Sequence, residues 1–100
     1  MSWFVISLCY VKPLADIDAA MKAHVAFLER HQATGTFIAW GRKVPRTGGI
    51  ILAQGRDRKA IEAAVAEDPF VTKKLATVEI TEFLPKPPAV VAAFEQLLNQ

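Results

Sequence analysis

A chain of 100 residues is enough for one domain, and at that size it buries a modest share of its surface, so association would add to its stability. Hydrophobic residues make up 52%, the formal net charge is +2 and the basic side chains are scattered, which excludes the basic stripe of a nucleic-acid binder. No apolar run is long enough to span a bilayer, and the single cysteine, Cys9, leaves no internal disulfide and points to a reducing, cytoplasmic setting.

Trp3 to Val11 is β-branched and aromatic and predicts a strand; with no basic residues before it, it does not read as a signal peptide. Phe4, Ile6, Leu8 and Tyr10 alternate with Trp3, Val5, Ser7, Cys9 and Val11, so both faces are largely apolar and both need a cover. Helices would cover one face and a second subunit the other. Asp16 or Asp18 is placed to cap a helix that runs to about Ala33, with Ile17, Met21, His24, Leu28 and His31 on one stripe. Gly35 suits the position just past its end. Thr36 to Arg42 and Gly49 to Gln54 predict two more strands joined by the loop Lys43 to Gly48. Asp57 would cap a second helix, Arg58 to about Glu67, followed by one further turn over Phe70 to Leu75. Thr77 to Leu84 predicts an edge strand with Val78 and Ile80 inward. Pro85, Pro87 and Pro88 form a stiff link to a last helix, Ala89 to Leu98, with Val90, Phe94, Leu97 and Leu98 on one side.

The order is βαββαβ, the ferredoxin-like α+β unit: an antiparallel four-stranded sheet with two helices on one face. Residues 1–85 make that domain, and 86–100 the proline link and extra helix. No internal repeat interrupts it. An RNA-recognition domain shares the order, but its third strand carries exposed aromatics, and Gly49-Ile50-Ile51-Leu52-Ala53-Gln54 has none.

Two residues carry the chemistry. His24 lies in an apolar stripe, where it is either a core histidine bonded to a backbone carbonyl or a group lining a cavity. Asp68 follows the run Ala60 to Ala66 and precedes Pro69, so it is held at a helix end, where negative charge is disfavoured and a cation or histidine would explain it. The topology brings the end of the second helix to the start of the first, so Asp68 can approach His24. An Asp that orients a His is an acid–base pair. His31 lies two turns beyond His24, too far to share a metal ion with it, so no metal is expected. Cys9 reads as a small buried hydrophobe. Arg42, Lys43 and Arg46 read as a solvated loop or an anion clamp. Trp40, Phe37, Phe70 and Tyr10 read as core or as the wall of an aromatic pocket.

The stretch Ala23-His24-Val25-Ala26-Phe27-Leu28-Glu29-Arg30-His31, with Ala39-Trp40-Gly41, Val44-Pro45-Arg46-Thr47-Gly48-Gly49-Ile50 and Glu67-Asp68-Pro69-Phe70-Val71, resembles the YCII-related (YciI-like) family from about Trp3 to Phe83. The Asp-Pro-Phe element with an upstream helical histidine is its most specific feature. The resemblance implies a ferredoxin-like fold paired as a dimeric α+β barrel, and a His–Asp active site carried here by His24 and Asp68. It also includes a dehydrochlorinase acting on a chlorinated, hydroxylated aromatic. The expectation is therefore a small homodimeric enzyme of lyase or isomerase type that needs no cofactor. It would act on a compact, cyclic or aromatic organic acid, with Arg46, Trp40 and Phe70 as substrate contacts. The rival expectation is a non-catalytic dimer that binds a small ligand or serves only as structure.

Overall fold

The computed structural model describes residues 1–98; Asn99 and Gln100, part of the expected C-terminal piece, lie outside the described residues. The elements run β1 (Ser2–Tyr10), α1 (Leu14–Ala19), α2 (Met21–Ala33), β2 (Phe37–Arg42), β3 (Gly48–Gly55), α3 (Arg58–Val65), α4 (Pro69–Thr72), β4 (Ala76–Phe83) and α5 (Pro88–Leu98). The sheet has strand order β2-β3-β1-β4 with every pair antiparallel, which is the ferredoxin-like α+β arrangement. No helix among the described residues is long and apolar enough to cross a membrane.

The alternation along β1 decides where the core forms. Phe4, Ile6 and Leu8 are fully buried against Ile17, Phe27, Leu28, Ile61 and Val65 of the helices. Each such side chain contributes roughly 1.5–3 kcal/mol by leaving water. The opposite face carries Val5, Ser7 and Cys9, paired across the ladder with Leu52, Ile50 and Gly48. Val5, Ile50 and Leu52 are only half-buried and Cys9 is exposed, which corrects the buried cysteine expected from the strand pattern. It sits at the end of β1 on the face that no core helix covers. At the other end of that face Phe94 of α5 packs edge-on against Trp3, with ring centroids 5.9 Å apart.

Two glycines are required by geometry. Gly35 has φ +81° and ends α2: its N–H donates to Gln32 O and that of Thr36 to His31 O, closing the last turn. A Cβ on Gly48 would lie 1.8 Å from Leu8 O, so only glycine lets β3 approach β1 there.

The expected first helix is two. Ala20, with φ −100° and ψ 0°, separates α1 from α2, and its N–H turns back to Ile17 O. Neither Asp16 nor Asp18 caps α1: Pro13 precedes it and no side chain accepts from its first N–H groups. Asp57 does cap α3, accepting from Lys59 N at 3.0 Å. That helix ends at Val65, earlier than the expected Glu67.

Candidate active site

The break at Ala20 puts His24 in the first turn of α2, its N–H donating to Ala20 O at 3.0 Å. Asp68 arrives from the far side of the helical layer. After α3 the chain turns so that Asp68 N–H donates to Val65 O. Pro69 then forces Asp68 into extended backbone, ψ 125°, and starts α4 at the position where a missing N–H costs nothing. The Asp68 carboxylate thus caps α4, with Oδ1 accepting from Phe70 N at 2.9 Å. This corrects the sequence reading of an acid stranded at a helix C-terminus: the short turn after Pro69 gives the charge a favourable place.

The same Oδ1 lies 2.8 Å from His24 Nδ1. His24 is 8% exposed and Asp68 0%. A carboxylate only accepts, so in the neutral ring Nδ1–H donates and Nε2 carries the lone pair. Asp68 Oδ2 is buried with no partner among the described residues. Phe70 lies flat on the imidazole, ring centroids 3.8 Å apart and planes 8° from parallel, and Tyr10 closes edge-on against Phe70 at 5.9 Å. His24 is therefore fixed by one hydrogen bond and one ring face.

A cavity of about 420 Å³ opens beside His24, between α1–α2 and the sheet. Volumes of a few hundred Å³ suit small organic ligands. Met21, Val25 and Leu28 form its helical wall; Leu8, Ile51 and Trp40 form the sheet wall. Arg46, Asp18 and Tyr10 bring polar atoms to it, and Arg42 also lines it. Of the expected substrate contacts, Trp40 and Arg46 line the cavity. Phe70 does not: it is buried behind His24, because the cap at Asp68 folds the start of α4 against α2.

Arg46 Nη2 donates to Asp18 Oδ1 across 28 positions of chain. The hydrogen bond from Arg46 to Asp18 raises the guanidinium above its ordinary value against some desolvation, with smaller contributions from the charge of Asp18 and from Tyr10. Arg46 Nε–H is buried without a partner among the described residues. Asp18 is the polar lining residue that sequence reasoning did not assign, since it was legible only as a helix cap; Tyr10, read as core or as the wall of an aromatic pocket, lines the cavity.

His31 stands away from this cavity. Its Nε2 is 3.2 Å from Glu67 Oε1, which also accepts from Arg30 Nη2 at 3.1 Å. The Arg30 hydrogen bond, then that of His31, holds the Glu67 carboxyl below its ordinary range. No three His, Cys, Asp or Glu side chains converge in a metal-binding group among the described residues.

Residues 3–84 match the model of the YCII-related domain. The chain belongs to the YCII-related family. Among solved structures it is similar to 5-chloro-2-hydroxyhydroquinone dehydrochlorinase (TftG) from Burkholderia phenoliruptrix AC1100, in complex with 2,5-dihydroxybenzoquinone. That similarity has a TM-score of 0.71 at 17% identity over 86% of this chain and 96% of that one. It is also similar to SnoaB, a cofactor-independent oxygenase from Streptomyces nogalater, with a TM-score of 0.51 at 19% identity over 86% of this chain and 93% of that one. At these identities the likeness is one of fold. No curated protein matches the chain by sequence.

Proposed function

We propose that this YCII-related protein is a small acid–base enzyme in which His24 moves a proton and Asp68 orients it. The observation that carries the reading is the His24 Nδ1–Asp68 Oδ1 hydrogen bond of 2.8 Å beside a cavity that His24 lines. With Nδ1 committed to Asp68, Nε2 is the nitrogen left for substrate. It would take a proton from a carbon next to a carbonyl, the C–H electron pair passing into the carbonyl as an enolate. The imidazolium then returns the proton to another atom, which is isomerisation, or the enolate electrons expel a leaving group with its bonding pair, which is elimination. Arg46 would face the developing negative charge and Trp40 the flat body of the substrate.

The substrate class is a compact cyclic or aromatic organic acid. Cavity size, the apolar walls and Arg46 support it, as does the fold likeness to a dehydrochlorinase whose complex holds 2,5-dihydroxybenzoquinone. A homodimer belongs to the same reading, supported by the half-buried Val5, Ile50 and Leu52 on the sheet face that no core helix covers. A cytoplasmic setting is supported by the lone, exposed Cys9.

The test is proton exchange. Small hydroxylated quinones and cyclic keto acids are incubated with the protein in D2O, and loss of carbon-bound proton signal is followed by NMR. The enzyme reading expects exchange that His24→Ala abolishes. A binding-only dimer would show saturable chemical-shift changes with no exchange above buffer, and equal exchange in both proteins would refute the role of His24.

A further inference from the structure

We propose that Asp18 is a displaceable counter-ion that holds Arg46 until a compact two-oxygen organic anion takes its place. The inference rests on the reading of the cavity as a ligand site and names the feature that selects its ligand. Arg46 and Asp18 both line the cavity, and they come from separate elements, the β2–β3 loop and α1. Their pairing therefore closes one part of its wall.

The contact between them is incomplete. Guanidinium offers five N–H donors in a fixed fork, and a carboxylate that fits the fork takes two at once. Here only Nη2 reaches Asp18, while Nε–H is buried and has no partner among the described residues. Nε–H is closed off while the pair stands, so an anion with two oxygens at carboxylate spacing would engage Nε–H and Nη2 together only by taking the place of Asp18 as it turns away. The two partners also differ in what leaving costs them. The Asp18 side chain is 59% exposed and can turn into water, whereas that of Arg46 is 28% exposed and stays with the cavity. Exposed ion pairs are weak, so a better-fitting anion can replace one. Trp40, on the same cavity, provides a flat apolar wall for a ring attached to that anion. The ligand class that fits is a planar ring bearing a carboxylate, or a hydroxy-enolate with the same oxygen spacing. A neutral ligand gains nothing from displacing Asp18 and meets a closed ion pair.

Calorimetric titration with benzoate and its neutral isostere benzamide tests this at low ionic strength. Asp18→Asn removes the competing charge and should tighten benzoate by about 3-fold to 5-fold, the range of an exposed ion pair. Benzamide affinity should not change. Arg46→Gln should weaken benzoate about 10-fold or more and remove the preference for benzoate over benzamide. Unchanged or weaker benzoate binding in Asp18→Asn would overturn the proposal, as would equal tightening of benzamide, which would mean that the side chain only blocks space. Failure of benzoate to bind either protein would overturn it too. These titrations need no turnover, and the deuterium exchange of His24→Ala needs no benzoate, so either idea can fail without the other.

Discussion

Asp68 Oδ1 serves two donors at once, the Phe70 backbone and the His24 ring, and both are buried. Removing it strands both donors, so Asp68→Ala should cost about 2–4 kcal/mol in chemical denaturation. Asp68→Asn keeps an oxygen in the same place and should leave a folded protein with a much smaller loss. Function should not be spared in parallel. Asp68→Asn, His24→Ala and the double variant should all fall sharply in exchange or ligand binding, and the double should be little worse than either single because the pair acts as a unit. Additive losses in the double variant would mean independent roles. Phe70→Leu removes the ring that lies on His24 and should cost about 1–2 kcal/mol. At the surface, Glu67 carries a different signature. Its carboxyl is held below the ordinary 4.5 by Arg30 and His31. The stabilisation is therefore present above that ordinary value and is lost as pH falls through the lowered one. Glu67→Gln should flatten this acid limb of Tm against pH and leave the neutral region almost unchanged.

Elements with a local cause were legible in the sequence. β1 shows its faces in its alternation, the end of α2 is marked by Gly35, and the α3 cap by Asp57. The break at Ala20 was not legible, since it has no glycine, proline or capping side chain, and the stripe from Ile17 to His31 read as one periodic helix running to about Ala33. Asp68 was half legible. Its neighbour Pro69 announced a helix end, but the same proline also begins α4, and the second role reverses the sign of the dipole argument. The Asp18–Arg46 pair could not be read at all, because only the folded chain brings the β2–β3 loop to α1. The exposure of Cys9 was missed for a similar reason: β1 is apolar on both faces, and the pattern does not say which face stays open. Gly48 shows how narrow the tolerance is at the element scale. A Cβ there meets the carbonyl oxygen of Leu8, part of the backbone, which cannot move aside. Gly48→Ala should cost about 3 kcal/mol or more, or abolish folding, and a Tm within a few degrees of the parent would contradict that contact.

Among the described residues the core helices lie over one face of the sheet, and on the other face Phe94 of α5 meets Trp3. That face presents Val5, Ile50 and Leu52, with Phe83 beside Trp3 at one end. α5 buries none of its own residues fully, and Val90, Phe94 and Leu97 remain exposed along it. A chain of this size gains most from association, and an apolar sheet face of this kind is the surface a second copy would use. Light scattering at micromolar concentration should therefore report a dimer. Leu52→Lys places a charge in the middle of that face without touching the core residues on the other side of β3, and should give a folded monomer. Removing the chain after Pro85 should either lower Tm or change the assembly, since it takes away the contact with Trp3. A wild-type monomer at micromolar concentration would contradict the dimer directly. A Leu52→Lys variant that stays dimeric would place the interface elsewhere, and the exposed side of α5 would then be the next surface to charge.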